Sequence, residues 1–272
     1  MMNCRPPLYC NAIAHLLGAI ICLAQPAFAA DTDRGEFFTD SNTQDLRQDE
    51  RKPASAIAWF GSFGTTYIDA EDGSKIWLTP FSLDATVNRN TTFTIESDGY
   101  GRIDFGGNTT QGFSNITLIA SQVVYRSEAS RLRLGVGASA PGSSGIGSQG
   151  GKQRISASYS RQLSSNWSLL ASGRLSRRNQ EPRPGERRIE QFGRLQTSYT
   201  FDTTPKALGL LPHALVLRLE RGYRHGAGGS SQATASYEFP LSAKLGASIG
   251  VTRGLTAGLR DNTFAFDLLF GF

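Results

Sequence analysis

Arginines and carboxylates, rather than histidines, serines or cysteines, are the residues of this 272-residue chain placed to do chemistry together. Arg174, Arg194 and Arg218 fall on one parity of alternating segments, and Asp84, Glu190, Glu220, Glu238 and Asp267 share it. Lined up in a narrow passage, three guanidiniums would form a constriction that guides anions or acidic sugars by electrostatic selectivity. Paired with the acids, they would instead make a salt-bridged plug, with Arg218 and Glu220 holding a barrel shut and rigid. Acids and bases on this parity are nearly balanced, so both readings stand.

Nucleophilic or acid–base catalysis needs a base held beside a nucleophile. Past the first thirty residues only His213 and His225 remain, and no His-x-Ser pairing lies on one segment. His225 opens the glycine-rich run His225-Gly226-Ala227-Gly228-Gly229-Ser230, which reads as a loop rather than a fixed base. A rim enzyme acting on lipid is therefore the weakest reading, and no catalytic residue is assigned. Cys4, Cys10 and Cys22 all fall within the first two dozen residues, which argues against a disulfide framework or a cysteine-built zinc site. Two histidines do not make a metal centre, and no cofactor is implied. Gly106-Gly107 and the run from Gly145 to Gly151 lack the strand-then-helix context of a phosphate loop and read as loops.

The elements that must position these residues begin with an address. Residues 1–29 read as a secretory signal: Arg5 supplies the positive start, 13–24 is mostly apolar, and Ala27-Phe28-Ala29 is an A-x-A cleavage site. The apolar run is shorter than the roughly 20 residues that span a bilayer as a helix. Cys22 follows Ala19-Ile20-Ile21 and lacks the small residue that precedes a lipidated cysteine. Loss of the leader takes Arg5 from 28 Lys+Arg and leaves 23 Asp+Glu, a mature charge of +4 (27 − 23). Export, and the scatter of basic residues over both parities, argue against nucleic acid as a partner despite a pI near 9.3. Residues 30–53 are polar and aperiodic and read as a flexible extension.

From residue 54 to 272 the dominant signal is period two, the mark of strands with one apolar face. Phe264, Phe266, Leu268, Phe270 and Phe272 point one way, and Thr263, Ala265, Asp267, Leu269 and Gly271 the other. Twelve such segments are expected, near 55–68, 75–89, 91–99, 113–126, 131–140, 152–163, 167–178, 188–201, 213–224, 231–241, 243–254 and 262–272. Long or glycine-rich connectors, 100–112 and 141–151 among them, alternate with tight ones; 202–212 breaks the rule. An even strand count with short turns on one rim and long loops on the other describes an outer-membrane β-barrel. A soluble sandwich would show many Lys and Glu on its polar face, whereas Gly, Ser, Thr and Arg dominate here. The apolar alternation ending on Phe272 resembles the signal read by the barrel assembly machinery.

Arg161, Arg177, Arg221 and Arg253 fall on the outward parity near segment ends. Arg177, Arg221 and Arg253 sit at the long-loop rim, where they could pair with lipopolysaccharide phosphates or snorkel into the interface. Arg177-Arg178 with Arg183, Arg187 and Arg188 form one basic loop.

Three stretches carry a family likeness: Gly112-Phe113-Ser114-Asn115-Ile116-Thr117-Leu118, the run from Leu134 to Gly142, and Ser160-Arg161-Gln162-Leu163 through Trp167-Ser168-Leu169. Over roughly residues 75–180 the chain resembles the outer-membrane transporter barrels associated with aromatic-compound (phenol meta-pathway) degradation, with Ser114-Asn115 where that group tends to have Gly-Asp. The resemblance implies passage of small, even apolar, molecules. The sequence thus leads to an all-β transmembrane barrel that passes a small solute or oligosaccharide passively. The alternative is a non-conducting accessory barrel of an envelope or polysaccharide-export complex, docking a periplasmic partner through residues 30–53.

Overall fold

Alternation with a two-residue period dictates strands, and strands whose outer faces are apolar must close on themselves before their backbone groups can leave water. The computed structural model describes residues 57–142, 151–179, 189–201, 213–223, 229–242, 244–256 and 261–271. The leader, the extension 30–53, the run Gly145–Gly150, the loop arginines 183, 187 and 188, the connector 202–212, His225 and Phe272 lie outside the described residues.

Fifteen strands form one antiparallel sheet: β1 (Ala58–Asp69), β2 (Lys75–Leu78), β3 (Phe81–Thr86), β4 (Thr91–Ser97), β5 (Tyr100–Phe105), β6 (Asn108–Phe113), β7 (Ile116–Arg126), β8 (Ser130–Ala140), β9 (Lys152–Gln162), β10 (Trp167–Arg178), β11 (Ile189–Thr200), β12 (Ala214–Tyr223), β13 (Ser230–Pro240), β14 (Leu245–Gly254) and β15 (Asn262–Gly271). Twelve of them make a closed ring in the order β1-β3-β4-β7-β8-β9-β10-β11-β12-β13-β14-β15, shut by β15 on β1 from Phe60↔Gly271 to Asp69↔Asn262. The chain is a twelve-stranded antiparallel barrel. Its tight turns are closed locally: Asn88 Oδ1 accepts from the backbone N–H groups of Asn90 and Thr91, and Leu163 donates to the carbonyl of Trp167.

The structure departs from the sequence reading between residues 75 and 113. The segment 100–112, expected as a long loop, is the hairpin β5–β6, which with β2 carries the wall of the barrel beyond the ring. Gly106 and Gly107 are the reason it turns: both have positive φ (56° and 83°) in a two-residue connection between Phe105 and Asn108. That is the backbone demand of a type I′ turn, which glycine meets at no steric cost. Below the hairpin the wall is bulged. Between the pairs Phe81↔Ser97 and Leu78↔Gly101 one side advances three residues and the other four. Gly99 sits in the extra step with φ 70°, and a Cβ there would lie 1.8 Å from the carbonyl oxygen of Thr79. A glycine in the left-handed region is the signature of this bulge class. Pro80, without an N–H, separates β2 from β3, so the expected segment 75–89 is two strands. The inner face of this extension holds the apolar core, Ile68, Ile76 and Leu78 with Ile103 against them.

The outer face of the ring is apolar and exposed: Val136, Leu118 and Ile155 are 60%, 57% and 56% exposed, and Phe264, Leu219 and Phe63 are similar. Such a continuous apolar belt suits hydrocarbon rather than water. Near the tight-turn rim Trp167, Tyr199, Phe201, Tyr237 and Phe239 form an unbroken outward row, with ring centroids 5.0 to 6.3 Å apart. His213 joins it through a 2.7 Å hydrogen bond between Nδ1 and the Tyr237 hydroxyl. Amphipathic rings belong at the membrane–water boundary, so this row marks where the apolar belt ends.

Candidate functional site

The strand register sorts the inward side chains into two walls. Arg131 and Arg133 on β8, Lys152 and Arg154 on β9, Arg174 and Arg178 on β10, and Arg194 on β11 share the inward parity, with Arg218 next to them on β12. Across the ring, β13, β15, β3 and β4 present Glu238, Asp267, Asp84 and Glu96. Among the described residues no inward base lies on β13–β15, β1, β3 or β4, and on β7 Arg126, past the bulge at Val123 and Tyr125, stands opposite Arg131. The inward acids of the basic half are Glu190 on β11 and Glu220 on the boundary strand β12.

Each base is drawn into a specific arrangement. Arg194 is the most enclosed. It stands directly opposite Glu220 across β11 and β12, Nη2 is 2.6 Å from Oε1, and the two side chains are 0% and 3% exposed. Gln232, opposite Glu220 on the next strand, donates to its other oxygen at 2.5 Å. Arg218 lies 3.9 Å from the same carboxylate and donates from Nε to Gln196 Oε1 at 3.1 Å. Burying charge is costly unless each ion is both paired and hydrogen-bonded, and this cluster meets both conditions for Glu220. Phe192 separates Arg194 from Arg174, with the guanidinium carbons 5.6 and 5.0 Å from the ring centroid. Nearer the long-connector rim Glu190 accepts from Lys152 Nζ (3.1 Å) and from Arg178 Nε (2.9 Å), whose Nη2 is 2.7 Å away.

An ion pair joins the two walls. Arg154 of β9 reaches past β8 and β7 to Glu96 of β4. Its register partner, Gly137, leaves the path open: a Cβ there would sit 2.7 Å from the Leu118 carbonyl oxygen and 3.3 Å from Arg154 Cγ. Around this bridge lies a recess of about 620 Å³, including space continuous with solvent, lined by Asp84, Glu96, Arg133, Arg154, Arg174 and Phe192 with several serine hydroxyls. Asp84 accepts from Thr94 Oγ1 at 2.5 Å.

Of the residues singled out from sequence, Arg194, Arg218 and Glu220 come together, and Arg174 is linked to Arg194 through Phe192. Arg194 is sealed into its ion pair, so its charge is not presented to an open passage; Arg174 alone of the three lines the recess. Glu238 and Asp267 lie elsewhere on the acidic wall, Asp267 opposite Gly64, where a Cβ would meet its Oδ1 at 2.0 Å. Arg133, Arg154, Glu96 and Phe192 were missed as site residues, although their parity was readable. Arg161, Arg177, Arg221 and Arg253 are exposed on the outside, and Arg221 lies 5.0 Å over the Tyr223 ring. Phe264, Phe266, Leu268 and Phe270 form the outward row of β15. Among the described residues no cluster of three or more His, Cys, Asp or Glu could hold a metal.

No protein-family model matches the chain, and no curated protein does. Solved structures do. An outer-membrane channel from Pseudomonas putida F1 superimposes with a TM-score of 0.62 at 15% identity, over 82% of this chain and 97% of that one. The KdgM porin in complex with disordered oligogalacturonate gives 0.55 at 10%, over 78% and 99%. The translocator domain of the autotransporter NalP from Neisseria meningitidis gives 0.51 at 11%, over 96% and 98%. At these identities the likeness is one of fold, and the fold is that of an outer-membrane β-barrel.

Proposed function

We propose that this chain is an outer-membrane channel through which a small solute or oligosaccharide passes by facilitated diffusion. The observation that carries this reading is the inversion of the barrel, apolar and exposed outside, polar and charged inside. Such an interior replaces the hydration of a polar solute, whereas a barrel serving only as an anchor has no need of a charged recess. The channel and the porin among the fold relatives support the same reading. Under it the solute-facing bases are Arg133, Arg154 and Arg174, and the Arg194–Glu220 pair is the wall that holds them in place. The outward row of β15, whose alternation the sequence carries on to Phe272, supports delivery by the barrel assembly machinery. The rim arginines support contact with lipopolysaccharide.

Single-channel recording of the refolded mature protein in a planar bilayer under a salt gradient tests this. Steady conductance is expected from protein whose folding is verified by heat-modifiable gel migration. Silence from folded protein would sink the channel reading. It would favour the accessory barrel, for which the closed Arg194–Glu220–Arg218 cluster is the supporting observation, and the search would move to partners of residues 30–53.

A further inference from the structure

We propose that the lumen holds a binding site for one small hydroxylated monocarboxylate, built on the free edge of the Arg154 guanidinium and a run of serine hydroxyls beside it. This rests on the channel reading and gives it a site and a solute class.

Arg154 spends one nitrogen on its bridge: Nη1 donates to Glu96. Its Nε–H is buried and has no hydrogen-bond partner. A guanidinium offers its donors in a planar fork, so with Nη1 engaged the Nε and Nη2 edge remains as a bidentate seat for a carboxylate. Such a pair is among the stronger hydrogen-bonded contacts, and filling it satisfies a donor that is costly to leave unmade. Glu96 keeps its own partners throughout, because the incoming carboxylate uses the other side of the guanidinium. Arg133 and Arg174 line the same recess and add charge without giving up the contacts they already make. Three guanidiniums against the carboxylates of Asp84 and Glu96 leave an excess of one positive charge there, which suits a monoanion.

The neighbouring hydroxyls set the rest of the solute. Ser156 and Ser158 follow Arg154 in two-residue steps along β9, about 6.6 Å each, and Ser172 faces Ser158 from β10. All three line the recess, and among the described residues none of their hydroxyls makes a hydrogen bond. Two glycines of β8 keep this row open. Gly137 stands opposite Arg154 and Gly135 opposite Ser156, where a Cβ would lie 2.7 Å from the Ser156 Oγ. A solute with hydroxyls replaces the water on these serines bond for bond, whereas a plain alkyl chain strips that water and leaves them unpaired. A neutral polyol has the hydroxyls but nothing charged for the Arg154 edge. One carboxylate followed by a short hydroxylated chain is the chemistry that answers both features.

The test follows the Arg154 Nε–H resonance by NMR in the refolded mature protein, isotope-labelled at arginine nitrogen and held in micelles, while L-threonate, butyrate, erythritol or sulfate is added. The resonance is assigned by its loss in Arg154→Lys, which keeps the charge and removes the fork. L-Threonate should shift it saturably, butyrate should need on the order of tenfold more, and erythritol should leave it unmoved. No shift with L-threonate, or an equal response to erythritol or sulfate, would overturn the site. Ser156→Ala combined with Ser158→Ala should bring L-threonate down to the level of butyrate; an unchanged order refutes the hydroxyl role. Where Arg154→Lys does not fold, the single-channel current of the unaltered protein decides: L-threonate should interrupt it at lower concentration than butyrate, and the reverse order counts against the proposal. Binding in micelles needs no conduction. A saturable shift from a barrel silent in the planar bilayer overturns the channel reading alone, and a conducting barrel without the shift overturns the site alone.

Discussion

Arg194 and Glu220 face each other directly on adjacent strands, and their 2.6 Å ion pair is sealed from solvent on both sides. A pair of this kind is strongly destabilising to break because the surviving ion stays buried. Replacing Glu220 with Gln should lower barrel stability by about 3–5 kcal/mol, whereas replacing both residues with Leu should cost much less. Urea unfolding in detergent micelles, followed by tryptophan fluorescence, measures both. A Glu220→Gln barrel as stable as the parent would show that Arg218, 3.9 Å away, is not needed as a second anchor and that the pair is dispensable.

Asp104, on the hairpin beyond the ring, is held below the usual carboxylate range, first by the hydroxyl of Thr109 (2.6 Å) and then by Arg102 (3.0 Å). A carboxyl whose folded value is depressed stabilises above its unfolded value, near 4, and that contribution is lost as pH falls through the folded value. The amides of Asn108 and Thr109 should therefore change environment below about pH 4 and stay constant above it. NMR titration of the protein in micelles reads this directly, and Asp104→Asn should erase the transition. A transition that persists in the variant assigns it to another group.

Arg177, Arg221 and Arg253 are exposed on the outer surface of alternate strands at the long-connector rim. A basic side chain at an anionic lipid surface contributes about 1 kcal/mol. Replacing all three with Ser should weaken lipopolysaccharide binding by roughly a hundredfold, and the loss should shrink in high salt. Surface plasmon resonance against immobilised lipopolysaccharide checks it. Unaltered binding would mean that the three arginines only carry their charge into the interface.

Alternation from Ala58 to Gly271 was written in side-chain type alone, because a strand with one face in hydrocarbon tolerates almost no exchange of its two faces. The barrel, its twelve strands, the outward row on β15 and the inward parity of Arg174, Arg194, Arg218 and Glu220 were all readable from that pattern. The hairpin 100–113 was partly written too, in Gly106-Gly107, but two glycines between polar residues also fit an irregular loop until the bulge at Gly99 lines them up. Partner choice was not in the sequence. Arg218 and Glu220, two apart on one strand, are separated by about 6.6 Å of rise, while residues directly opposite on neighbouring strands stand about 5 Å apart. Register therefore gave Glu220 to Arg194. Nor could the chain order show that Arg154 meets Glu96, fifty-eight residues earlier. Their contact, like the sorting of the lumen into a basic and an acidic wall, exists only once the sheet closes. Closure brings strands together by their place in the ring, and side-chain type along one strand carries no record of what stands across it.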